Sequence, residues 1–137
     1  MPRDVFIQAF DGGSPVFLRH ANIESLVAPF LLATRAGVAS VLMKDGGAEI
    51  WGYGDDGGLA VVGASGREIW ELVVAIARGN AAAIIPVGGT PIVADAALIP
   101  GLPPEGRDKV TVVGSGDELI AALEAQGPYE PREERDD

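Results

Sequence analysis

Leu59-Ala60-Val61-Val62-Gly63-Ala64-Ser65-Gly66-Arg67-Glu68-Ile69-Trp70-Glu71-Leu72-Val73-Val74-Ala75-Ile76-Ala77-Arg78 is the stretch that decides the fold. Leu59 to Gly63 is a β-type run, apolar on both faces, as expected of a strand central in its sheet. After the glycine turn the period changes. Ile69, Leu72, Val73 and Ile76 recur on one helical face, and Trp70, Val74 and Ala77 widen it. A helix is therefore predicted over about Gly66 to Arg78, with polar positions reduced to Arg67, Glu68, Glu71 and Arg78. A helix this apolar is either sandwiched or turned towards a partner, which makes Trp70 and Val74 candidate interface residues.

Upstream, Val38 to Lys44 and Ala48 to Tyr53 read as strands, bounded by the turn-like Asp45-Gly46-Gly47 and Gly54-Asp55-Asp56-Gly57-Gly58. With the run from Leu59 they make a meander. Before it, Ile23, Leu26, Val27, Phe30 and Leu31 have helical spacing, with Asn22 as N-cap and Gly37 as C′ residue. Pro29 inside that helix implies a kink or a late start at Ser25. Val5 to Phe10 and Val16 to His20, joined by Asp11-Gly12-Gly13-Ser14-Pro15, read as a hairpin.

Downstream, Ala81 to Val87 and Pro91 to Ala94 suggest a second hairpin or a strand with a bent continuation. Asp95 to Lys109 is a proline-containing loop, tacked down by Leu98, Ile99 and Leu102. Val110 to Val113 is expected as a last buried strand and Asp117 to Ala125 as a last helix. The element order is thus β-β-α-β-β-β-α-β-β-loop-β-α: an α+β fold with helices on a mostly antiparallel sheet. The sheet becomes mixed if Leu59–Gly63 and Ala81–Pro86 run parallel through the intervening helix. An α/β two-layer arrangement is the alternative. The order over residues 4–78 resembles that of the longin, roadblock and profilin-like scaffolds, which implies a small module that dimerises or binds partners.

The 137 residues suit one domain, assigned to 1–127, with 47% apolar residues to fill a core. Residues 128–137 read as a disordered acidic tail. The chain carries 20 acids against 10 bases, a formal charge of −10. Such acidity repels phosphate backbones and anionic lipid surfaces, so neither nucleic acid nor membrane is expected as a partner. Cysteine is absent, which removes thiolate nucleophiles and disulfides. No secretory pattern opens the chain, and no apolar run reaches the roughly 20 residues that span a bilayer, so a cytoplasmic location is expected.

Candidate site residues are few. Gly63, Ser65, Gly66 and Arg67 lie where a strand turns into a helix, and amides at a helix start attract anions. Phosphate, a nucleotide or a small carboxylate is the ligand class this turn suits, with Arg67 as the fork. Neither dinucleotide nor P-loop spacing is present. Ser65 and Glu68 also form a capping-box pattern, repeated at Ser115 and Glu118. His20 is the single histidine, with Glu24 four residues on, but no nucleophile is placed beside it by spacing. Asp45, Glu49, Asp55 and Asp56 gather around the meander turns without EF-hand spacing, and no metal is assigned to them. Trp51 and Tyr53 share the Glu49 face if strand alternation holds, which makes them interface candidates.

No catalytic signature and no cofactor motif emerges. The reading favoured by the sequence is a non-enzymatic protein-interaction or scaffold module acting as a homo-oligomer. The alternative is a small anionic-ligand domain or enzyme using the Gly63–Arg67 turn.

Overall fold

The computed structural model describes residues 4–55 and 57–127. Residues 128–137, expected as a tail, lie outside the described part.

Among the described residues, nine strands form one mixed sheet, accompanied by three α-helices. Strand β1 (Val5–Asp11) turns through Gly12-Gly13 into β2 (Ser14–Val16). Helix α1 (His20–Val27) runs into a 3-10 turn, Ala28–Phe30. Then come β3 (Leu31–Arg35), β4 (Val38–Leu42), β5 (Gly47–Trp51) and β6 (Leu59–Ser65). Helix α2 (Glu68–Gly79) leads to β7 (Ala82–Pro86) and β8 (Ile92–Val93). Two 3-10 segments, Ala96–Gly101 and Pro104–Lys109, precede β9 (Thr111–Val112) and α3 (Gly116–Ala125). The α+β class expected from the sequence is the observed one.

The strand order is β3-β4-β5-β6-β1-β7-β8-β9. The meander is antiparallel throughout, and β1 is antiparallel to both β6 and β7. It follows that β6 and β7 run the same way, joined by α2, with β1 between them. The parallel pair that makes the sheet mixed is β8 with β9. Strand β2 pairs with the far half of β1, in the lane that β6 occupies along the near half.

Three elements depart from expectation. The second strand is Ser14–Val16 rather than Val16 to His20, and His20 opens α1. Residues 31–35 form β3, not the end of a helix that started near Asn22. Pro29 has no amide to donate and closes the helix in a 3-10 turn. The following residues then find ladder partners on β4, through the tight turn Ala36-Gly37, both at positive φ. The order therefore gains a fourth meander strand. The last strand differs too: Thr111 and Val112 are exposed at the sheet edge and only Val113 is buried.

All three helices pack on one face of the sheet. Val5, Ile7 and Ala9 of β1 point into that side, with Ala39, Val41, Ile50, Leu59 and Val61 from the meander. Helix α2 is sandwiched: Ile69, Trp70, Val73, Val74, Ile76 and Ala77 are all within the core. At its end Asn80 ties it to α1, accepting from the Arg19 amide at 2.8 Å and donating to Asn22 Oδ1 and the Ile76 carbonyl, both at 2.9 Å. On the opposite face the segment around Leu98, Ile99 and Leu102 covers Ala83, Val93 and Phe10. It leaves β3 to β6 and the near half of β1 uncovered.

Candidate functional site

The strand-to-helix turn is built differently from either sequence-based expectation. Gly63, at φ +66°, sits where the β5–β6 register slips. The slip resets the alternation, so Ala64 is buried and Ser65 exposed. The Gly63 amide donates to Asp4 Oδ1 at 3.1 Å. Ser65 does not cap α2; its Oγ accepts from the Gly47 amide at 3.2 Å. The cap comes from the β4–β5 turn instead. Asp45 Oδ2 accepts from the Arg67 amide at 2.7 Å, and both its oxygens lie 3.4 Å from the Glu68 amide.

Gly66 makes this approach possible. Its φ is +85°, and a Cβ there would lie 2.5 Å from the Asp45 carbonyl oxygen. The positive end of the α2 dipole thus already holds a carboxylate of the same chain. Arg67 points away from any ligand at that spot and pairs with Asp117 at 3.0 Å, both side chains being mostly exposed. The second capping pattern does form: Ser115 Oγ accepts from the Glu118 amide at 3.2 Å, while Glu118 accepts from the Gly114 amide. Glu71 of α2 adds a bond to the Gly116 amide at 2.8 Å.

Of the four interface candidates, two are inside the molecule. Trp70 is 0% exposed and Val74 1%. The wide apolar girth of α2 is consumed by α1, α3 and the sheet, and these two side chains offer no surface to a partner. Trp51 and Tyr53 also part company. Gly52 between them is at φ +85°, which ends the strand and breaks its alternation. Tyr53 packs against the helix-side core, with its ring edge-on to His20 at a centroid distance of 5.3 Å. Its Oη is buried, and burial first, then the Glu24 charge, raises its pKa above the usual tyrosine value. His20 Nε2 in turn lies 3.9 Å from Glu24 Oε2.

Trp51 is on the uncovered face and 50% exposed. Its Nε1 donates to Glu49 Oε1 at 3.1 Å. The ladders place it in a straight row across the sheet: Val38 beside Trp51, Trp51 beside Ala60, Ala60 beside Phe6, Phe6 beside Ile85. Phe6, which the sequence reading did not single out, is 48% exposed. Its signal was present in Val5-Phe6-Ile7, where alternation sets Phe6 opposite two core residues. Two shallow hollows flank the tryptophan. One, of about 380 Å³, lies towards Phe6 over Ala60 and Gly58. The other, of about 490 Å³, is bounded by Thr34, Arg35, Val38, Ser40 and Glu49.

The acidic turn residues do not converge. Asp45 caps α2, Glu49 holds Trp51, and Asp55 Oδ1 accepts from the Gly57 amide at 3.3 Å. Asp56 lies outside the described residues. Among the described residues no three histidine or carboxylate groups come together as a metal site would need. None of the described helices is long and apolar enough to cross a membrane.

Comparison with known proteins gave no match to any family model, any curated protein or any solved structure.

Proposed function

We propose that this chain is a non-enzymatic protein-interaction module that acts as a homo-oligomer and uses the uncovered face of its meander. The observation that carries the reading is the row Val38, Trp51, Ala60 and Phe6, with two half-exposed aromatics on an uncovered sheet face beside two hollows. Aromatic side chains of this kind are enriched in interfaces, because they bury large area for little conformational entropy. The face is also poor in charge within an acidic chain, which lets another protein surface approach it without desolvating many ions.

The test is Trp51→Asp, at a half-exposed position, with native far-ultraviolet circular dichroism as the check on folding. Light scattering behind a size-exclusion column should show wild-type assembly growing with concentration and the variant staying monomeric. A wild-type chain that remains monomeric to about 200 µM would remove the homo-oligomer from the reading. Trp70→Asp, the obvious variant from the sequence, reports on folding instead, because its side chain is in the core.

A further inference from the structure

We infer that two copies of this chain pack meander face on meander face about a two-fold axis, with Arg35 of each copy meeting Glu49 of the other. This rests on the homo-oligomer reading above and specifies its geometry.

The residues that β3 to β6 turn to the uncovered side are Ala33 and Arg35, Val38, Ser40 and Leu42, Glu49 and Trp51, Ala60 and Val62. Two of them are charged, and their signs are opposite. Both border the same hollow beside Trp51. They are not bonded to one another: Glu49 takes the Trp51 indole, and the Arg or Lys ion pair among the described residues is Arg67–Asp117. A chain of formal charge −10 repels its own copies over most of its surface. At this hollow it is complementary to itself.

Two-fold symmetry requires that if residue i meets j, then j meets i. Arg35 and Glu49 satisfy that with a single chain. The ladders place them two strands and one strand repeat apart, roughly 12 Å between Cα atoms at ordinary sheet spacings. An axis lying between the two sheets and bisecting that line puts each Arg35 over the opposite Glu49. The same axis lays Trp51 of each copy beside Val38 of the other, so the exposed indole enters the neighbouring hollow. Two sheet faces stack about 10 Å apart, a spacing these side chains fill. The footprint, roughly 20 by 17 Å, buries only about 700 Å² over the two copies, so a weak, transient dimer in the high-micromolar range is expected.

The experiment uses Arg35→Glu and Glu49→Arg, two exposed positions, checked for native far-ultraviolet circular dichroism. Each variant alone faces like with like across the axis, and its dimer Kd should rise at least about tenfold. An equimolar mixture of the two should recover a dimer. One contact then joins the two substituted side chains with their signs exchanged, and the other joins the native Arg35 and Glu49. The doubly substituted chain should also self-associate. A wild-type dimer that ignores both substitutions, or a mixture that fails to associate, overturns this pairing while leaving the homo-oligomer in place. A wild-type monomer at every concentration overturns both.

Discussion

Asp45→Ala removes the carboxylate that closes the start of α2 from another turn. In the wild type it accepts from the Arg67 amide at 2.7 Å and stands 3.4 Å from the Glu68 amide. Loss of an N-cap acceptor costs about 1 kcal/mol, and loss of negative charge at a helix N-terminus adds some 0.3–1 kcal/mol. The expected sum, about 1.5 kcal/mol, corresponds to a Tm lower by roughly 4–9 °C for a domain of this size. Asp45→Asn keeps an acceptor and gives up the charge, so its loss should be about half as large. Urea unfolding followed by circular dichroism and by tryptophan fluorescence measures both. Inorganic phosphate adds a second readout: it should raise the Tm of Asp45→Ala more than that of the wild type, because the vacated amides again face solvent. An alanine variant within about 0.3 kcal/mol of wild type, or an equal phosphate response in the two proteins, refutes the view that Asp45 acts as an internal anion.

Asn80→Ala should cost about 2–3 kcal/mol in the same unfolding assay, since the Arg19 amide and Asn22 lose a part-buried partner together. Trp70→Asp places a charge at a position that is 0% exposed and should abolish the cooperative transition, seen as loss of the near-ultraviolet spectrum. Tyr53 has its pKa raised, by burial and then by Glu24, so the unfolded chain ionises first as pH rises. Stability is therefore intact below about pH 10 and falls above it, and Tyr53→Phe should flatten that alkaline fall. Spectrophotometric titration of a Tyr129→Phe variant, which leaves Tyr53 as the sole tyrosine, should give a midpoint above about 10.

The helices α2 and α3 were legible because each carries several apolar positions at helical spacing and is bounded by glycine. The same rule failed at Leu31. Its spacing from Val27 is helical, yet Pro29 intervenes and β4 supplies a ladder that the local pattern does not contain. The cap of α2 was misread for a related reason. Ser65 and Glu68 have capping spacing, but the carboxylate that takes the role is Asp45, brought in by the β4–β5 turn. Spacing records only what a residue can do with its near neighbours. Trp51 and Tyr53 show the limit of alternation, because one glycine at positive φ sends two aromatics to opposite sides. For the interaction face, the sequence marked Trp51 and missed Phe6. The row through Val38, Ala60 and Phe6 exists only once four strands are in register.

The placement of β1 between β6 and β7 sets a timetable for the nascent chain. Val5 pairs with Val61 on one side and Pro86 on the other, so β1 is made well before either neighbour and is among the last strands to be flanked on both sides. The hairpins from Leu31 to Ser65 join near neighbours and can close early. Until residue 86 is made, β1 is paired only on the side of β2 and β6, and such distant pairing slows folding. A synthesis arrested between α2 and β7 would leave β1 as a bare edge of the sheet, ready to accept β7 from another chain.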